Sequence, residues 1–128
     1  MHCATFLAVT LFGASILMSL APASAADKVL RHIVMYKFKD GVTAAQIQQV
    51  IDAFGGLPKQ VATIIDYEAG TNVSTEGKSE GFSHVFVVTF KNEKDLAAYL
   101  THPAHEAYVQ VVRDKRDKVI VFDYWMEK

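Results

Sequence analysis

The sequence predicts an α+β fold: one four-stranded antiparallel sheet with helices on one face, in the order βαββαβ. Three observations carry this. Segments 29–39, 64–71, 82–91 and 118–125 are rich in β-branched and aromatic residues, and the first alternates along its whole length. Between the first pair, and again between the last pair, apolar side chains recur at spacings of three and four. Turn residues divide these segments, and no domain linker or repeat interrupts the 128 residues.

Each element has its own signals. In the first strand Leu30, His32, Val34, Tyr36 and Phe38 alternate with Val29, Arg31, Ile33, Met35 and Lys37, and Asp40-Gly41 ends it. Thr43 followed by Gln46 is a capping box, and Ile47, Val50, Ile51 and Phe54 form the stripe of the helix behind it. Gly55-Gly56 stops that helix, and Pro58 is expected to prevent its resumption. Ile64 to Thr71 is the second strand, and the polar run Asn72 to Gly81 is an exposed hairpin loop. Phe82 to Lys91 is the third strand, with Phe82, Phe86, Val88 and Phe90 on one face. Asn92 caps the second helical region, which turns Leu96, Tyr99 and Leu100 inward. Pro103 restarts it, because proline suits a first helical turn, and Tyr108, Val111 and Val112 continue the stripe. Lys118 to Trp125 is the last strand. Two split β-α-β halves of this kind give a ferredoxin-like architecture.

Composition removes several classes of function. The net charge is −1 with no basic stripe, so nucleic acid is not an expected partner. Apolar and charged residues interleave after position 26, which argues against disorder. The first charged side chain is Asp27. Before it, Phe6 to Leu20 is almost wholly apolar, and Ala23 and Ala25 give a small-x-small cleavage pattern. Residues 1–25 are therefore expected to be a signal peptide, with a domain at 26–128 exported to the periplasm or secreted. The apolar run is short for a membrane span of roughly 20 residues, so no stable insertion is expected after cleavage. The lone cysteine, Cys3, falls in the leader, which leaves the mature chain without disulfides or thiolate chemistry.

The sheet carries apolar side chains on both faces. Ile33, Met35, Val85, Val87, Ile120 and Phe122 lie opposite the face of His32, His84 and Val121. Helices cover only one face, and a bare second face of this kind exceeds what monomers commonly leave exposed. A second copy packed face to face would hide roughly 800 Å² per subunit, so a homodimer through these six residues is expected.

The string Leu30 to Lys39 resembles the opening strand of the stress-responsive A/B barrel domains. Phe82 to Phe86 resembles their third strand, Val119 to Trp125 their closing strand, and His102-Pro103-Ala104-His105 their His-Pro-x-His turn. The resemblance covers residues 28–126. It implies a dimeric α/β barrel with a pocket between sheet and helices in each subunit. Some members are cofactor-free enzymes that use two histidines and pocket tyrosines, whereas many have no assigned reaction. One pocket tyrosine of the cyclase-type members sits on the first helix, where this chain has Phe54.

With the pocket placed there, His32, His105 and Tyr99 are the candidate catalytic residues. An imidazole can act as a general base near neutral pH, and a tyrosine can hold a carbonyl oxygen. Val34, Tyr36, Phe54, His84, Phe86, Tyr108 and Val121 are the candidate ligand-binding residues, an apolar set with a few polar tips. Each has a plainer alternative. His102 reads as a helix-start residue, His32 as a hydrogen-bonded core histidine, and the tyrosines as core aromatics. No metal is expected, because His102, His105 and His32 have no carboxylate or thiolate in the motif. No cofactor is expected. Gly77-Lys78-Ser79 lacks the earlier glycine of a phosphate loop. Two functions remain: binding of a small apolar or aromatic molecule, or cofactor-free acid/base chemistry of a cyclase or lyase kind on such a molecule.

Overall fold

The structure is a computed structural model, and it describes residues 28–127. The leader expected at 1–25 lies outside the described residues. The elements run β1 (Lys28–Phe38), α1 (Ala44–Gly55), α2 (Leu57–Gln60), β2 (Ile64–Thr71), β3 (His84–Phe90), α3 (Glu93–Leu100), α4 (Pro103–Val112) and β4 (Arg116–Glu127). The four strands form one antiparallel sheet in the order β2-β3-β1-β4, which is the ferredoxin-like arrangement.

Local chemistry sets the boundaries. Thr43 and Gln46 satisfy each other's backbone donors at the start of α1, as a capping box does. Asn92 accepts from the Asp95 amide to start α3, and His102 Nδ1 accepts from the Ala104 amide to start α4. His102 is thus spent on capping. Pro103 occupies the first turn of α4, where its missing N–H costs nothing.

Three boundaries differ from expectation. Pro58 does not stop the chain coiling: it sits in the first turn of the short α2, and Leu57 is buried beneath it. β3 begins at His84, so Phe82 lies in the connecting loop rather than on the strand face. β4 begins at Arg116, because a register shift between Lys37 and Phe38 lengthens its pairing with β1. Leu100 is exposed at the α3–α4 turn.

The core lies between the sheet and the helices. Val34, Tyr36, Phe86, Val88 and Phe90 from the sheet meet Val50, Phe54, Tyr99, Tyr108 and Val112 from the helices. Aromatic contacts dominate it: Phe54 stacks on Phe86 at 4.3 Å and 6°, and meets Tyr108 edge-on at 4.7 Å. The helices pack on one face of the sheet and leave its other face bare. Phe122 is 60% exposed and Ile120 40%, while Ile33, Met35, Val85 and Val87 beside them are half-buried.

Candidate functional site

β1 and β4 pair side by side, and the inward row of each faces α4 and the α3–α4 turn. Between them is a cavity of about 240 Å³. Its sheet wall is His32, Val34 and Tyr36 from β1 with Arg116, Val119, Val121 and Asp123 from β4. Its helical wall is Phe54 from α1, Tyr99 and Leu100 from α3, and His105, Tyr108 and Val109 from α4.

Two imidazoles converge on this space. His32 lies opposite Asp123 in the strand pairing, and its Nδ1 is 2.6 Å from Asp123 Oδ1. The carboxylate accepts, so Nδ1 carries the proton and the Nε2 edge of the ring is left for other partners. His105 Nδ1 lies 3.1 Å from the Leu100 carbonyl, which can only accept. Nδ1 therefore holds the proton there too, and Nε2 presents a lone pair. Burial pushes the His105 pKa below its ordinary value, with the Leu100 hydrogen bond partly opposing. His105 is thus neutral at pH 7 and competent as a base.

Tyr99 lies between the two histidines. Its ring centroid is 5.9 Å from that of His32 and 4.6 Å from that of His105. Burial raises its pKa, so its hydroxyl stays a donor at neutral pH. Tyr108 and Tyr36 share a 2.8 Å hydrogen bond through their hydroxyls. Both are protonated, since burial raises each.

The structure thus places His32, His105, Tyr99, Val34, Tyr36, Phe54, Tyr108 and Val121 around one cavity. It places His84 and Phe86 elsewhere. His84 is on the expected face but at the far end of β3, where it bonds Ser83 Oγ at 2.8 Å and meets Phe38 edge-on. Phe86 is sealed behind Phe54, which takes the position against the cavity. Strand alternation assigns a face but not a position along it.

The cavity also holds Asp123 and Arg116, which the strand pattern of the sequence does not single out. The signal for Asp123 is its charge alone: it follows Val119 and Val121 at spacings of two, on a row that should be apolar. Arg116 had none, because the strand irregularity that turns it inward leaves no mark in the sequence.

Comparison with known proteins defines the class. The chain belongs to the stress-responsive A/B barrel domain family, whose sequence profile matches residues 30–126. It is similar to the stress-response A/B barrel domain-containing protein HS1 of Arabidopsis thaliana, 32% identical over 95 residues, covering 74% of this chain and 87% of that one. It is also similar to olivetolic acid cyclase of Cannabis sativa, 31% identical over 99 residues, covering 77% and 98%. Among solved structures it resembles a dimeric protein of ferredoxin-like fold from Bacteroides fragilis, with a TM-score of 0.63 and 25% identity over 77% of this chain and 96% of that one.

Proposed function

We propose that this protein is a cofactor-free acid/base enzyme acting on a small aromatic or apolar carbonyl compound held between sheet and helices. The observation that carries the reading is the convergence of His32 and His105 on one cavity, each with its Nδ1 proton committed elsewhere. A neutral imidazole with a free Nε2 can take a proton from carbon or oxygen. In this reading His105 is the base, and Asp123 holds the His32 ring so that its Nε2 edge faces the substrate. The Tyr99 hydroxyl donates to the oxygen on which charge develops. Val34, Val121 and Phe54 give the site its apolar walls. Likeness to a cyclase, at 31% identity over nearly all of that protein, supports the reading.

A protein that holds the same molecule without converting it would use the same walls. The paired Nδ1 protons favour chemistry, since a purely apolar carrier gains nothing from orienting two rings.

The working unit in this reading is a homodimer. The apolar face of Ile33, Met35, Val85, Val87, Ile120 and Phe122 supports this, as does similarity to proteins described as dimeric. Export belongs to the same proposal and rests on the residue pattern of positions 1–25.

Deuterium exchange tests the chemistry. Aryl methyl ketones in D2O should exchange their α-protons faster with the protein than in buffer alone. His105→Ala should lose roughly 10²- to 10⁴-fold of that acceleration. Exchange at the buffer rate across a panel of such ketones would leave only the holding function.

A further inference from the structure

Strand β4 pairs with β1 in regular antiparallel register from Glu127 opposite Lys28 to Lys118 opposite Lys37. Continued by one step, that register would set Asp117 opposite Phe38. Instead Arg116 stands there, because the register shifts between Lys37 and Phe38. A bulge of this kind re-aims a side chain. The inward row at this end of the sheet therefore receives a guanidinium in place of a carboxylate. Asp117 is left to pair outward with Lys37 at 3.7 Å.

The re-aimed side chain reaches the site. Arg116 lines the same cavity as His105 and Tyr108. Its guanidinium lies beside the Tyr36 hydroxyl and opposes the effect of burial on that group. The ion pairs of the described residues use Asp123, Asp117, Asp114, Glu68, Glu76 and Glu127, and none involves Arg116. Next to it, Tyr36 and Tyr108 hold two hydroxyl protons between them. Their mutual hydrogen bond uses one and leaves one to donate.

We propose that the cavity takes a small aromatic or apolar carboxylate, its anionic group bound by Arg116 and the free proton of the Tyr36–Tyr108 pair. The rest of the ligand lies along Val119, Val121 and Phe54 toward His105. A guanidinium with an adjacent hydroxyl donor matches a carboxylate in charge and in number of donors. Phe54 is fully buried and stacked on Phe86, so the inner wall is filled, and the ligand is compact enough for about 240 Å³. This inference rests on the cavity being the ligand site and adds the charge of what enters it.

Benzoate and its neutral isostere benzamide are the probes. Each is titrated into the full-length protein at pH 7, with affinity from calorimetry and location from the NMR shift of the His105 imidazole. Benzoate should bind at least about tenfold more tightly than benzamide, with both shifting His105. Arg116→Met should bring the two affinities within about twofold by weakening benzoate far more than benzamide, and Arg116→Lys should restore part of the preference. If both probes shift His105 with equal affinity, or if Arg116→Met keeps the preference, the carboxylate assignment is overturned and the site stands. If neither probe shifts His105, the assignment and the site both fail.

Discussion

The Nδ1 of His32 lies 2.6 Å from the carboxylate of Asp123, which stands opposite it on the neighbouring strand. This contact ties the middle of the sheet to its edge and fixes which face of the ring is available. His32 is buried, while Asp123 is 41% exposed on its side chain. Solvent screens the charge, so the value of the pair lies in orientation and in satisfying a buried N–H.

Asp123→Ala should therefore cost about 1–3 kcal/mol, because it strands that donor in the interior. Urea denaturation reads it. Asp123→Asn should keep most of the stability yet lose activity, because an amide can accept or donate and no longer dictates the His32 tautomer.

Phe54 is the next test. It touches Phe86, Tyr67 and Tyr108, with centroids at 4.3, 5.7 and 4.7 Å, and it is 1% exposed. Phe54→Ala should cost about 3–5 kcal/mol and deepen the cavity. Thermal denaturation measures the first effect. An aryl ketone with a longer alkyl chain, bound only by the variant, would report the second.

The Tyr36–Tyr108 pair gives a smaller effect. Tyr108→Phe leaves the Tyr36 hydroxyl without its buried partner and should cost about 1 kcal/mol. The double variant with Tyr36→Phe should lose less than the two single changes summed, which a double-mutant cycle detects.

The histidines predict a pH dependence with a definite sign. Burial lowers the pKa of both His105 and His84 below 6.5 in the folded state. In the unfolded chain they protonate first as pH falls, so the unfolded state binds more protons. Stability is unaffected above about pH 6.5 and declines below it, until the folded-state pKa values are passed. His105→Gln and His84→Gln should each flatten that decline, measured by denaturant titration from pH 7 to pH 5. The acceleration of ketone exchange should fall over the same range, and only His105 should govern it.

The dimer has its own test. Phe122 is 60% exposed, and with Ile120 it extends the apolar row of Ile33 and Val87. Phe122→Asp should shift sedimentation from a dimer to a monomer and leave the helical caps untouched. A wild type that sediments as one subunit at micromolar concentration would remove the homodimer.

Much of the fold was legible because its signals are local. Thr43 with Gln46 and Asn92 mark helix starts through hydrogen bonds that span three residues. The alternation from Leu30 to Phe38 follows from the strand's period of two. The short turn of helix at Leu57–Gln60 was hidden because Pro58 reads equally as a stop and as a first-turn residue. Within the site, His32, His105, Tyr99 and Tyr108 announced themselves by residue type and face. Asp123 and Arg116 depend on the register of β4 against β1, a non-local quantity, and the bulge at Phe38 changes that register. His84 was misplaced for the same reason: its face follows from alternation, but its distance from α4 does not.

One measurement reaches the center of this account. Nitrogen-15 spectra of the imidazoles, recorded while an aryl ketone is added, report which histidines meet a ligand. The account predicts that His32 and His105 move together, with their Nε2 signals most affected, while His84 and His102 stay put. Movement of His84 with His32 and His105 unchanged would contradict it and place the ligand at the other end of the sheet.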